Sequence, residues 1–115
     1  VQTLDPSLTL DRRQLRDITL DDEELMREVL NALIEDTSRQ IELLQSAIRE
    51  QDPERCKRLA HYCKGACANV GANAAASVLR RLEQEALSLD FVHCEESLAA
   101  LGHELERLRT EVGTL

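Results

Sequence analysis

Between Leu30 and Ile48 the apolar positions step by four and three in alternation: Leu30, Ile34, Thr37, Ile41, Leu44, Ile48. A strand cannot use this spacing, because its successive side chains alternate between two faces. A helix can, since 3.6 residues per turn bring every third or fourth residue back to one side. Leu25, Met26, Val29 and Leu33 widen the same stripe, and nothing breaks the run before Pro53. A helix of roughly 28 residues is about 42 Å long. With a single apolar stripe it must bury that stripe against other helices, and so the chain reads as a bundle.

The remaining elements follow from start and stop signals. Asp21 or Asp22 caps the long helix, and Glu23 and Glu24 suit the positive end of its dipole. Asp52-Pro53-Glu54 combines a cap, a proline at the first helical position and an acid, and starts a second bundle helix that ends near Gly71. Asn73 is expected to cap a third over residues 74–88, with Ala75, Val78, Leu79, Leu82 and Ala86 inward. Residues 89–93 read as a connector. The last helix is expected over 94–112, on the seam Leu98, Leu101, Leu105, Leu108, Val112. Upstream, Thr9 or Asp11 caps a short helix through Arg16, with Leu10 and Leu15 inward, and residues 1–7 read as extended around Pro6. Tyr62 and Phe91 are the only aromatic residues, so the core is Leu, Ile, Val, Ala and Cys, and no alternating strand run occurs. The expected fold is all-α: an up-down-up-down antiparallel four-helix bundle over 21–112 with a short N-terminal helical extension over 1–20, all one domain over 1–115.

A formal net charge of −8 argues against nucleic acid and against an anionic membrane surface as partners. There is no signal peptide and no apolar run long enough to span a bilayer. Cys56, Cys63 and Cys67 fall on the inward stripe of the second bundle helix, spaced too far apart or too poorly for a bridge. Together with Cys94 they read as reduced core thiols of a cytoplasmic protein. A chain that begins at Val1 reads as a piece cut from a longer one.

On that same helix Cys56, Leu59, Ala60, Cys63, Ala66, Cys67 and Val70 share the inward face, and His61 lies roughly 160° from its middle. Its surface neighbours are Glu54, Lys57, Arg58, Lys64, Gly65 and Ala68. Gly65 costs the helix about 1 kcal/mol relative to alanine. It leaves bare backbone one turn from an exposed imidazole, where something can approach closely. Basic charge, a bare surface and an exposed nucleophile together point to a phosphoryl acceptor. An imidazole with its ordinary pKa of about 6.5 is largely neutral at cytoplasmic pH, and nearby cations favour that neutral form.

His61-Tyr-Cys-Lys64-Gly65, followed by Val70-Gly71-Ala72 and Leu82-Glu83, resembles the histidine-containing phosphotransfer (HPt) domain family, with its His-x-x-Lys-Gly motif, a Gly-Ala pair ten residues on and a later Leu-Glu or Leu-Gln. Residues 32–37 and Ala60 also fit, and the likeness spans roughly residues 20–90. Ile34, Ala75 and Leu79 depart from the family's frequent phenylalanine, leucine and cysteine, but all three are apolar and bear on packing. The resemblance implies that His61 takes a phosphoryl group from an aspartyl phosphate of a response-regulator receiver domain, through Nε2, and passes it to another receiver aspartate. It implies that Lys64 steadies the phosphoryl oxygens, that Glu83 orients the imidazole through Nδ1, and that Lys57, Arg58, Gly65 and Ala68 form the docking surface, with an apolar patch edged by Tyr62. It implies no ATP site and no cofactor in this chain, Mg²⁺ on the receiver, and a place in a phosphorelay, as a free carrier or inside a larger hybrid histidine kinase.

Two other readings compete. Cys63 and Cys67, four apart on one face, suit a zinc-binding bundle, with His93 and Cys94 elsewhere in the chain. A non-catalytic helical interaction module needs no chemistry at His61 at all. His103, on an ordinary mixed helix surface, and His93, in the connector, are weaker candidates.

Overall fold

The computed structural model describes residues 5–115, so the extended segment expected over 1–7 lies partly outside the described residues. Among the described residues five helices follow one another: α1 (Arg12–Thr19), α2 (Glu23–Arg49), α3 (Pro53–Val70), α4 (Asn73–Leu87) and α5 (Phe91–Gly113). α2 packs on α3 and α5, and α4 packs on α3 and α5, which closes a four-cornered up-down-up-down bundle. α1 lies against α2 and α3.

The caps explain where the helices begin. Asp11, Asp22, Asp52 and Asp90 each accept a backbone N–H three residues on, at 3.2, 3.0, 3.1 and 3.2 Å. The Asp90 cap corrects the expected connector: α5 starts at Phe91, three residues early, and His93 sits in its first turn. Likewise α1 runs on to Thr19, whose hydroxyl donates to the Leu15 carbonyl at 2.7 Å. Asn73 is not a cap. Ala72 holds that position without a side-chain bond, and Asn73 is the first residue of α4.

The core is aliphatic and sulfur-bearing. Leu15, Leu30, Leu44, Leu79, Leu82, Leu101 and Leu108 are fully buried. The α2 seam is inside as expected, with Val29 and Ile41 half-buried, whereas Leu25 in the first turn is exposed. A second cluster of Ala47, Ile48, Cys56, Ala86 and Cys94 fills part of the core beside it. All four cysteines are free and buried. No Cα of α3 comes within 8 Å of α5, so Cys56 and Cys94 share a cluster at a separation no disulfide spans.

Gly71 joins three pieces of chain. It ends α3 in the left-handed conformation, φ +88°, with the Ala72 N–H returning to the Cys67 carbonyl at 2.9 Å. Its own carbonyl accepts the Asp11 N–H at 2.8 Å, and the Ala74 N–H donates to the Leu8 carbonyl at 2.8 Å. The Gln14 carboxamide donates to the Ala68 carbonyl at 2.7 Å. The N-terminal segment is thereby laced over the α3–α4 corner. A Cβ on Gly71 would stand 2.7 Å from the Asp11 carbonyl oxygen. Gly71→Ala is expected to lose at least about 1–3 kcal/mol by chemical denaturation, from the backbone conformation alone. Leu89 is the opposite case, an exposed leucine at φ +59°. Leu89→Gly is expected to raise stability by up to about 1 kcal/mol in the same assay.

Candidate functional site

Burying Cys56, Ala60, Cys63, Cys67 and Val70 turns the opposite side of α3 to water. His61 is on that side, with its side chain 70% exposed, as the spacing predicts. α4 runs antiparallel alongside. Leu82 is fully buried, and the next residue, Glu83, is carried to the seam with α3, its side chain 14% exposed. Its Oε1 lies 3.2 Å from His61 Nδ1 and its Oε2 accepts from Lys64 Nζ at 2.8 Å. One carboxylate holds two residues of the neighbouring helix.

Burial pushes the Glu83 carboxyl up, but the Lys64 ammonium and then His61 outweigh it, and the group ends below its ordinary 4.5. An ionised carboxylate only accepts, so Nδ1 is the nitrogen that carries the hydrogen facing it. A neutral ring then has its lone pair on Nε2. The pairing with Glu83 revises the mostly basic setting expected for His61, because the nearest charge is an acid and Lys64 is already engaged by it.

The other expected site residues fall around this cluster. Lys57 is half-buried and Arg58 exposed, and neither forms an ion pair among the described residues. Arg55 turns away to Glu50, at 3.4 Å. A Cβ built on Gly65 meets nothing within 4 Å, so the open space inferred beside the histidine is present. Ala68 is half-buried one turn further on. Tyr62 is exposed and its hydroxyl donates to Asp36 of α2 at 2.9 Å, a link the α3 spacing alone could not reveal.

Charge is segregated in a way the total conceals. α3 and α4 carry six cations (Arg55, Lys57, Arg58, Lys64, Arg80, Arg81) against three carboxylates (Glu54, Glu83, Glu85), net +3. α2 and α5 carry eleven carboxylates against five arginines, net −6. His61 stands on the basic layer.

The zinc reading does not survive the packing. Cys63 and Cys67 are in the core, turned away from the exposed His61 face, and burial pushes both thiols up to about 12. No group of three or more His, Cys, Asp or Glu side chains that could hold a metal ion occurs among the described residues. His93 is occupied with Asp90, its Nδ1 2.6 Å from the carboxylate, and His103 is exposed on α5.

A model of the Hpt domain family matches residues 28–111, which takes in most of α2, all of α3 and α4, and α5 as far as Glu111. This chain belongs to the Hpt domain family. Hpt domains are phosphotransfer carriers of two-component signalling rather than catalysts with an ATP site of their own. The fold of this Hpt domain is similar to the crystal structure of histidine-containing phosphotransfer protein B from Pseudomonas aeruginosa, with a TM-score of 0.84 and 21% identity over 94% of each chain. No curated protein sequence matches it. No helix among the described residues is long and apolar enough to cross a membrane.

The Glu83 clamp titrates in a defined direction. A carboxyl lowered on folding contributes stability that is present above its unfolded value, near 4.5, and is lost as pH falls through the lower folded value. Carbon NMR of the Glu83 carboxyl is expected to give a midpoint below 4.5 in the native protein, and Lys64→Met to move that midpoint upward.

Proposed function

We propose that His61 is the phosphoacceptor of a phosphorelay, loaded by the aspartyl phosphate of one receiver domain and unloaded by the aspartate of another. The observation that carries this reading is the pairing of Glu83 with Nδ1, which leaves Nε2 exposed as the nucleophilic nitrogen. The Nε2 lone pair attacks phosphorus as the bond from phosphorus to the aspartyl oxygen breaks. The aspartate leaves as a carboxylate, and the phosphoryl group is held on nitrogen. Transfer onward is the same step in reverse, with the second aspartate as nucleophile. Glu83 keeps the tautomer and the ring plane fixed throughout. Lys64, one turn from His61, swings from Glu83 to the phosphoryl oxygens as their charge arrives.

Lys57 and Arg58 extend the basic surface toward a partner whose own site is acidic, and Gly65 and Ala68 leave room for it. The Mg²⁺ that assists aspartyl phosphate chemistry belongs to the receiver. The reading sets the chain in the cytoplasm, where its four thiols stay reduced, and it accommodates either a free carrier or a segment of a hybrid histidine kinase.

A receiver charged with an acyl phosphate donor supplies the test. Label on the wild-type domain is expected to be acid-labile and alkali-stable, as for a phosphorus–nitrogen bond. His61→Gln is expected to take up none while its helicity by circular dichroism is unchanged; uptake by that variant would move the acceptor elsewhere, and no uptake by the wild type would revive the purely structural module. Gly65→Ala separates folding from docking. Alanine fits the empty space and is expected to stabilise the helix by up to about 1 kcal/mol, while transfer from the receiver slows because the methyl occupies room the partner needs.

A further inference from the structure

Most buried polar side chains of this fold have a partner. The Thr19 hydroxyl donates to the Leu15 carbonyl, Ser97 donates to Glu85 at 2.6 Å, and Glu104 accepts from Arg107 at 2.6 Å. Asn73 is the exception. It is 4% exposed, and among the described residues neither its Nδ2 nor its Oδ1, both closed to solvent, has a hydrogen-bond partner. A buried amide with both ends unpaired is rare and destabilising. Capping does not account for it, since the N-terminus of α4 is formed without its side chain.

Asn73 lines a notch of about 350 Å³ between α3 and α4, whose other walls include Gly65, Ala68 and Ala76, with Lys64 and Arg80 among its cations. Its walls are mostly apolar and include Pro6 of the N-terminal segment. Arg80 is exposed and forms no ion pair among the described residues. Lys64 also reaches Glu83, so the notch begins where the His61 cluster ends.

We propose that this notch is a specificity subsite that takes an acidic loop of the receiver: the Asn73 side chain turns outward into the notch so that its carboxamide pairs with a peptide group of that loop, and a carboxylate on the loop pairs with Arg80. The inference rests on the relay reading above and names the part of the partner read beside His61. A peptide group offers one acceptor and one donor, which complements the donor and acceptor that Asn73 leaves unused. A partner without such a loop leaves the amide unsatisfied at every encounter, which discriminates far more sharply than a missing apolar contact.

Asn73→Leu and Arg80→Ala test this in the transfer assay with a charged receiver, scored as KM and as the single-turnover rate at saturating receiver. Both variants are expected to raise KM for the receiver about tenfold with the saturated rate little changed. Asn73→Leu is also expected to raise the urea midpoint, because it removes an unpaired buried amide from the core. A higher midpoint with unchanged KM would make Asn73 a structural defect and overturn the subsite. Should Asn73→Leu fail to fold, Arg80→Ala, a change at an exposed side chain, decides by itself, and an unchanged KM there overturns the proposal. Wild-type transfer through His61 persists in either failure, so loss of the subsite leaves the relay reading standing, whereas label on His61→Gln would sink the relay reading itself.

Discussion

The close packing of α3 against α4 is the constraint on which the site depends. α3 offers Ala60, Cys63 and Cys67 to the core, and α4 answers with Ala74, Ala75 and Leu79. Small residues on both helices let the backbones approach, and the Gly71 corner fixes how far each slides along the other. Leu82 is then buried as a matter of register, and Glu83 follows it to the seam beside two residues of α3 spaced three apart. A carboxylate with two oxygens bridges such a pair without strain. Changing the register by one residue would put Leu82 or Gln84 at the seam in place of Glu83, because side chains on a helix turn by 100° per step, and neither brings a carboxylate.

Much of this was legible in the sequence, and the reasons differ by element. Periodicity gave α2, since its stripe is long and unbroken. Asp52-Pro53 gave the start of α3, because few residue combinations suit a helix N-terminus so well. The exposure of His61 followed from the stripe opposite it. The start of α5 is not legible in the sequence, because Phe91 and Val92 suit a strand or a connector as well as a helix, and only the Asp90 side chain closing on the His93 N–H decides between them. The place of Asn73 is hidden for a related reason. Asparagine is a favoured cap by type, yet the tight Gly71 turn had already set the entry to α4, and the side chain was drawn inside.

Glu83 marks the limit of one-dimensional reasoning. Spacing along α4 sets it beside a buried leucine and says nothing of which helix it faces; the resemblance to a family supplied the partner. The charge pattern is a similar case. A total of −8 reads as an acidic protein, with a basic exception legible only along α3 around His61. Folding sorts that total into an acidic layer of α2 and α5 and a basic layer of α3 and α4, and only the second carries the imidazole. Partners steered by the near field therefore meet a surface opposite in sign to the average, which favours an orientation of approach before any contact forms.

The sulfur atoms have a consequence of their own. Four thiols in a chain of 115 residues would ordinarily invite oxidative chemistry. Here each is sealed in the interior and three are pushed up to about 12; Cys56 and Cys94 sit on helices that never approach within bridging distance, and Cys63 and Cys67, one turn apart on α3, are poorly placed for a bridge. Burial and raised thiol pKa values both work against attack by peroxide, which needs an accessible thiolate. The sulfur that fills this core is thereby kept apart from the chemistry on the opposite face of α3.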